Sequence, residues 1–316
     1  MNPTPPRDGH CSRRELLRSF ALGYAALSLP GPLIACGKDQ IAAALGGVGN
    51  PDQRRLRDWT TSLRSDTPMG PRTALGHTAV KAGELARGTP YVPGTLDAYL
   101  KSGGSPSHEP LTLSLTRFDC VTLVESCLAV ARLAAAGGQP SWDDFGREIQ
   151  RMRYRDAKRS DYGSRLHYFS EWISDGARRG LVKDLGAELG GVEDTRPLRF
   201  MTQHRDKYPA LSDETVFEEI AEIERRLDQQ PRRVIPTKRI PEVVGRIESG
   251  DVLAFATEIP GLDVTHAAFA YRDNEATLRV LHAPLSGGVV EITRTTLPEY
   301  VAAIRRSTGI LVARPQ

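Results

Sequence analysis

The sequence lacks the motifs on which metal, nucleotide and nucleic-acid binding usually depend. Only four cysteines and seven histidines occur in 316 residues, without a CxxC pair or an HExxH segment, so there is no ready-made zinc motif. Neither GxxxxGK nor GxGxxG is present, and no basic run is interleaved with aromatic residues. We therefore expect no metal, no cofactor and no nucleic acid partner. What is present, 40% apolar residues and a net charge of +3, predicts one sizeable globular core.

Three elements near the N-terminus occur in the order expected of an export signal over residues 1–35. A twin-arginine pair at positions 13 and 14 precedes an apolar stretch from Phe20 to Ala35. Glycine and proline interrupt this stretch, which is too short and too broken for a stable membrane span. The segment Leu33–Cys36 then resembles a lipobox, in which Cys36 would be lipidated after cleavage.

This leader predicts an exported protein of the periplasm or cell envelope, anchored by a lipid on Cys36. Cleavage nearby without lipidation is the alternative. Residues 36–70 are predicted to form a tether and a lead-in helix, and residues 71–316 the main domain. We expect membrane contact only through the anchor, and no obligate protein partner is evident.

Cys120 stands at the start of a long apolar helix. No glycine or proline occurs from Cys120 to Arg132, and Gly137 is a natural C-terminal stop. With Asp119 as N-cap, Cys120 falls in the first turn, where free N–H groups and the helix dipole favour a nucleophilic thiolate. The alternative is a buried structural cysteine. That is our interpretation of Cys127, two turns further along and roughly 10.5 Å away, beyond disulfide reach.

Four short runs near the C-terminus predict an antiparallel meander, and two of them carry a histidine. They are rich in β-branched residues, are separated by turn residues, and span 250–256, 263–271, 276–283 and 288–293. His266 lies near the start of the second run and His282 near the end of the third. On neighbouring strands the two imidazoles can lie side by side, which would supply a thiol with a base and an orienting group.

Cys120 and His266 are 146 positions apart, and the chain between them is predicted to include a helical insert over about 140–245. A capping-box pattern begins a helix at Ser141 that runs to about Tyr154. Apolar periodicity predicts a second helix over about 166–178 and a third over about 212–229.

Several motifs in order give the chain a family resemblance over roughly residues 75–316. They are Gly88–Thr95, Phe118–Val124, Ser164–Trp172, Gly250–Leu253, Val264–Tyr271 and Leu281–Ala283. Together they resemble the NlpC-type papain-like cysteine hydrolases of bacterial cell walls. The closer similarity is to the N-acetylmuramoyl-L-alanine amidase-like subfamily. The resemblance implies an α+β, papain-like fold in which a catalytic helix packs on an antiparallel sheet beside an added helical layer.

The resemblance also implies roles for particular residues. Cys120 would be the nucleophile, His266 the base and His282 the third polar group, while Tyr91 would line the cleft and help to stabilise the oxyanion. One departure is Ala267-Ala268 after His266, where the family more often has Val-Gly.

A second group of residues is expected to contact the substrate. Arg165, His167 and Tyr168 would lie at the start of the second insert helix, where a guanidinium can pair with an anionic substrate group. A solvated helix start is the alternative. Asp263 is placed with this group and is also the replacement third member should His282 not serve.

These features predict an exported cysteine hydrolase that acts on peptidoglycan or muropeptides, most simply at the muramoyl–L-alanine amide. The alternatives are cleavage within the stem peptide, acyl transfer from the same acyl-enzyme, and a non-catalytic cell-wall binding module. A zinc site built from Cys120, His266 and His282 with an open fourth position is a further alternative.

Overall fold

The computed structural model describes residues 50–66, 74–285 and 288–316. The predicted export signal, Cys36 and the tether before residue 50 lie outside the described residues. In the part of the chain that is described, no helix has both the length and the hydropathy needed to cross a membrane.

The described residues form ten α-helices and eight β-strands. The helices are α1 (Pro51–Asp66), α2 (Ala74–Leu85), α3 (Ala98–Lys101), α4 (Cys120–Ala136), α5 (Trp142–Arg153), α6 (Phe169–Arg178), α7 (Phe200–Gln203), α8 (Glu214–Leu227), α9 (Ile240–Val243) and α10 (Leu297–Ala303). The strands are β1 (Val182–Asp184), β2 (Val192–Asp194), β3 (Arg232–Pro236), β4 (Val252–Thr257), β5 (Val264–Arg272), β6 (Leu278–His282), β7 (Glu291–Ile292) and β8 (Ser307–Pro315).

All eight strands belong to one antiparallel sheet. Its order is β2-β3-β8-β4-β5-β6-β7. Strand β1 pairs with the C-terminal end of β8, beyond the residues of β8 that pair with β3. The predicted α+β class and the meander β4-β5-β6-β7 are therefore confirmed. Strand β4 is buried along its whole length, which places β5 and its histidine beside the centre of the sheet.

Helix α4 begins and ends where the sequence predicts. Asp119 caps it: its carboxylate accepts the N–H of Thr122 at 2.8 Å, and the Thr122 hydroxyl accepts the N–H of Asp119 at 2.8 Å. Gly137 ends the helix with φ +75°, a conformation that glycine adopts at little cost. This reciprocal cap fixes the first turn, and Cys120 is its first residue.

Two apolar clusters cover the two faces of the sheet. One joins α1, α2, α4 and α5 to the face that carries Ala267 and Phe269. The other joins α9 and α10 to the face that carries Phe255 and Ala268. Because side chains alternate along a strand, His266 lies on the same face as Ala268. Strand β5, which carries His266, is thus packed on both faces.

Three of the helices between Cys120 and His266 agree closely with the predicted ones. Helix α5 has the expected capping box at Ser141. Helix α6 begins at Phe169, three residues later than predicted, because a 3₁₀ turn at Tyr162–Ser164 comes first and Tyr168 is the N-cap. Helix α8 is capped by Asp213 and packs in a third apolar cluster with Tyr168 and Leu198.

The turn into β4 requires glycine. Gly250 has φ +95°, and a Cβ atom there would lie 2.1 Å from the carbonyl group of Gly76. The turn and helix α2 therefore touch backbone to backbone, which holds the start of β4 against the helical side of the molecule.

Candidate active site

Cys120 lies where the start of α4 meets strand β5. Its side chain is almost buried, with a residue exposure of 9%. The sulfur accepts the backbone N–H of Ala267, and it also lies against the N–H groups of Val121 and of Cys120 itself. Ala267 follows His266 directly in β5, so the thiol contacts the strand beside that histidine.

The electrostatic surroundings of Cys120 differ from the prediction. Burial, followed by the negative charge of Asp119, raises the pKa of the Cys120 thiol to about 12, although the nearby N–H groups lower it. The expected thiolate at the helix start is therefore wrong for the free protein. The cap itself is part of the reason, because the carboxylate that begins the helix lies next to the sulfur.

His266 and His282 form a buried imidazole pair. His266 Nε2 lies 2.9 Å from His282 Nδ1, and the side chains are nearly inaccessible, at 4% and 2% residue exposure. The His266 ring stacks on Phe255 with a centroid distance of 5.5 Å. His266 Nδ1 is buried and has no hydrogen-bond partner among the described residues. That nitrogen is the one left free to exchange a proton.

Both imidazoles are neutral at neutral pH. Burial, and then the neighbouring His282, hold the pKa of His266 well below its usual range. Burial lowers the pKa of His282 to about 4. The resting site thus combines a neutral thiol with neutral imidazoles.

Tyr91 is held beside the thiol by backbone pairing. Tyr91 forms a bridge with Phe118, and the Val92 N–H donates to the Phe118 carbonyl at 2.8 Å, two residues before Cys120. Burial, and then the charge of Cys120, raise the pKa of Tyr91. Its phenol therefore stays protonated and can donate a hydrogen bond close to the sulfur.

Tyr300 and Glu291 join the site although the sequence had not indicated them. The Tyr300 hydroxyl lies 3.3 Å from His282 Nδ1, and burial followed by the charge of Cys120 raises the pKa of Tyr300. Glu291 Oε1 lies 3.7 Å from His282 Nε2. The capping box of Thr296 and Glu299 could have located the helix that carries Tyr300, but not the neighbour of that side chain.

Arg165 is buried and His167 is half-buried, so neither lies on a solvated helix start. Arg165 Nη2 donates to Asp97 at 2.5 Å, and Arg165 Nε lies 3.4 Å from Glu109. His167 Nε2 lies 2.8 Å from the Tyr162 carbonyl, and burial, then the charge of Arg165, lower the pKa of His167 to about 3. Both precede α6 instead of beginning it. Their contact with substrate stays a prediction.

Tyr168 and Asp263 also have protein partners. The Tyr168 hydroxyl donates to Glu224 at 2.6 Å. The Asp263 carboxylate accepts the Ser170 N–H at 2.8 Å and the Val264 N–H at 2.7 Å. These bonds join the start of α6 to the start of β5. The Asp263 carboxylate is therefore bonded to backbone N–H groups. Asp263 is connected to the site through the chain, because it precedes His266 by three residues.

The donor atoms do not fit the zinc alternative. In the described ranges, no group of three or more His, Cys, Asp or Glu residues could hold a metal ion. The facing nitrogens of His266 and His282 bond each other, so their lone pairs do not converge on a common point with the sulfur.

Comparison with known proteins identifies the family of the chain. A sequence model of the N-acetylmuramoyl-L-alanine amidase-like (AmiA-like) family matches residues 81–310, which include both the thiol and the imidazole pair. The chain belongs to this family. No curated protein matches the chain.

Solved structures show that the fold of this amidase-like protein is shared. An N-acetylmuramoyl-L-alanine amidase from Bacteroides uniformis is 28% identical with a TM-score of 0.68, and the match covers 77% of this chain and 99% of that one. A putative xylanase from Bacteroides fragilis is 33% identical with a TM-score of 0.67, over 74% and 99% of the two chains. A Legionella pneumophila protein of the DUF1460 family model, at 19% identity, 83% and 94% coverage and a TM-score of 0.59, shares the fold.

Acid should destabilise this amidase-like protein through His167, whose pKa is lowered in the folded state. The folded pKa of His167, about 3, lies below the value of roughly 6.5 for an unfolded histidine. The unfolded chain therefore binds the proton first. This contribution to stability is fully present above pH of about 6.5 and is lost as the pH falls toward the folded pKa, by about 1.4 kcal/mol per pH unit.

Urea unfolding between about pH 5 and pH 7.5 tests this expectation. Over this range the variant His167→Gln, whose amide can still donate to the Tyr162 carbonyl, should lose about 2 kcal/mol less stability than the wild type, with most of the difference in slope below about pH 6.5. The exposed His77 provides the control, because His77→Gln should leave the slope unchanged. An unchanged slope in His167→Gln would contradict the assignment of a neutral His167.

Proposed function

We propose that this protein is an exported cysteine-dependent amide hydrolase of peptidoglycan, an N-acetylmuramoyl-L-alanine amidase with a papain-like, NlpC-type fold. Two observations carry the proposal: a thiol at a helix start that accepts the N–H of Ala267, the residue after His266, and the buried imidazole pair of His266 and His282. Membership of the amidase-like family supports it. So does the similarity to a structure described as an amidase of this kind.

The site suggests the following sequence of steps. His266 Nδ1 takes the thiol proton while the Cys120 sulfur attacks the amide carbonyl, and the S–C bond forms as the carbonyl becomes an oxyanion. The backbone N–H at the start of α4 and the Tyr91 hydroxyl stabilise that oxyanion. His266 then gives its proton to the leaving amine, and water releases the acyl group from the sulfur.

The neutral resting pair makes this mechanism consistent with the raised pKa of Cys120. A solvated thiolate is not needed, because the thiol gives its proton to His266 as the bond from sulfur to carbon forms, and the negative charge ends on the carbonyl oxygen. The N–H of Ala267, which the sulfur accepts in the free protein, stabilises charge on the sulfur in that step.

Glycoside hydrolysis is the activity named for one related structure, the putative xylanase. That chemistry requires two carboxyl groups across the scissile bond, one acting as acid. Here the Asp119 carboxylate is held as a helix cap, and Glu291 lies against His282, with its Oε1 3.7 Å from His282 Nε2. The site therefore favours acyl chemistry at Cys120.

Digestion of purified sacculi followed by mass spectrometry tests the proposal. Free stem peptides, accompanied by intact sugar chains, are the expected products of the amidase. Shortened stems that remain on sugar would assign an endopeptidase instead. Unchanged sacculi would refute hydrolysis and favour acyl transfer or binding alone. The variant Cys120→Ala serves as the control, because it should yield no products.

Export and lipidation are part of the same proposal. They rest on the twin-arginine pair, the apolar stretch and the lipobox-like segment before Cys36. Fractionation of cells that express the full chain should place it in the envelope, and Cys36→Ser should release it from the membrane fraction.

A further inference from the structure

Glu291 lies directly across the sheet from His282. The two residues are Cα partners in the β6–β7 ladder, so their side chains leave the same face of the sheet. Glu291 Oε1 lies 3.7 Å from His282 Nε2. That nitrogen is buried and has no hydrogen-bond partner in the described part of the chain, whereas the Glu291 side chain is 55% exposed.

Counting protons shows why this contact matters. When both rings are neutral, the contact of 2.9 Å between His266 Nε2 and His282 Nδ1 holds a single proton. If His266 carries it, then His266 Nδ1 is a bare base and His282 Nε2 bears the other proton. If His282 carries it, then His266 Nδ1 is protonated and cannot take a proton from the thiol. Only the first arrangement supports catalysis.

We propose that Glu291 is the positioning residue that selects the first arrangement. Its carboxylate is an acceptor only, so it favours a proton on His282 Nε2 and disfavours a bare lone pair there. With Nε2 protonated, His282 Nδ1 becomes an acceptor for the His266 N–H. The inference rests on the proposed function, in that His266 serves as the base for Cys120.

Tyr300 lies at the other nitrogen of His282 and is compatible with this tautomer. Its hydroxyl lies 3.3 Å from His282 Nδ1 and can donate to that nitrogen when it is bare or accept from it when it is protonated, so Tyr300 does not select between the two arrangements. The Tyr300 ring also packs edge-on against His282, with a centroid distance of 5.2 Å. The selection therefore rests on Glu291 at His282 Nε2.

The selected tautomer also suits the attack step. When His266 Nδ1 takes the thiol proton, the ring becomes an imidazolium whose Nε2–H still donates to His282. No proton leaves the pair. The carboxylate of Glu291, at the far end of His282, offsets part of the positive charge that has formed.

Nitrogen NMR of protein labelled with ¹⁵N-histidine reads the tautomers without any substrate. Single histidine-to-glutamine variants assign the signals. In the wild type we expect His266 protonated on Nε2 with Nδ1 bare, and His282 protonated on Nε2. In Glu291→Gln we expect a mixture of tautomers, since an amide can either donate to His282 Nε2 or accept from it. A protonated His266 Nδ1 in the wild type would overturn the proposal.

Kinetics supply the second readout. Glu291→Gln should lower kcat by about 3- to 10-fold with KM unchanged, the scale expected of a partly exposed charge. Glu291→Asp, which keeps the carboxylate, should recover part of the loss. The matched control is Glu193→Gln, because Glu193 is also a strand residue, with a side-chain exposure of 48% and a charged neighbour, Arg233, at 3.8 Å. It should leave both readouts unchanged.

The two readouts separate the two proposals. If Glu291→Gln changes neither the tautomers nor kcat, the positioning role is wrong even though sacculi are digested. If sacculi are not digested but the wild-type tautomers are as expected and shift in Glu291→Gln, the positioning role holds and the amidase proposal fails alone.

Discussion

Replacing Cys120 with alanine should reduce turnover of peptidoglycan by about 10³-fold or more, to the background rate. The reason is that no other described thiol can take over the attack. Cys127, the remaining cysteine of the described residues, is fully buried in the core between α4 and the sheet. Product release from sacculi measures the loss, and circular dichroism shows whether the fold is kept.

Cys127→Ala is the matched variant, since it makes the same chemical change two turns along the same helix. It should keep activity and lower the free energy of unfolding by about 1 kcal/mol through lost packing. Peptide mapping after iodoacetamide treatment gives an independent check, in which the label should be found on Cys120. Labelling of Cys127 with Cys120 left intact would overturn the assignment of the nucleophile.

Removal of His266 should be nearly as damaging as removal of Cys120. Because the thiol has a pKa of about 12, it cannot supply an anion by itself at neutral pH. We expect His266→Ala to lower kcat by about 10³-fold or more, whereas His282→Ala should lower it by about 10- to 100-fold, since the base would remain but be poorly held. Steady-state kinetics on muropeptides tests this order.

A partial rescue distinguishes orientation from general disruption at His282. His282→Asn or His282→Gln should recover part of the activity, because an amide oxygen can accept the N–H of His266. His167 variants should instead appear mainly in KM. If His282→Ala is as active as the wild type, the imidazole pair is not part of the mechanism. Asp263 would then be a poor replacement, since two backbone N–H groups already occupy its carboxylate.

Local signals explain how much of the fold the sequence could predict. Each helix signal in this part of the chain depends on only a few neighbouring residues: the capping boxes at Asp119 and Ser141, and the stop at Gly137. Helices α4 and α5 have these limits in the structure. The meander followed from short β-branched runs with turns between them. Helix α6 was predicted to start too early because the apolar pattern continues through its N-cap, Tyr168.

The parts that could not be predicted depend on contacts between distant segments. Glu291 and Tyr300 reach His282 from a different strand and a different helix, and nothing in their own neighbourhoods in the sequence indicates this. The burial of the Cys120 side chain also depends on distant segments, so it could not be predicted either. A helix start does favour a thiolate, but the depth of Cys120 and the nearness of Asp119 outweigh that effect.

The bond between Asp263 and the Ser170 N–H limits how the chain could be shortened. A protein engineer who deleted the helices between the thiol and the base would remove Ser170 and leave the Asp263 carboxylate buried with one fewer donor. Burial already raises the pKa of Asp263, so the deletion would favour its protonated form or an inflow of water. Either change would occur three residues from His266. The intervening segment is thus not a detachable module, and a minimal version of this protein would need a new donor at that point.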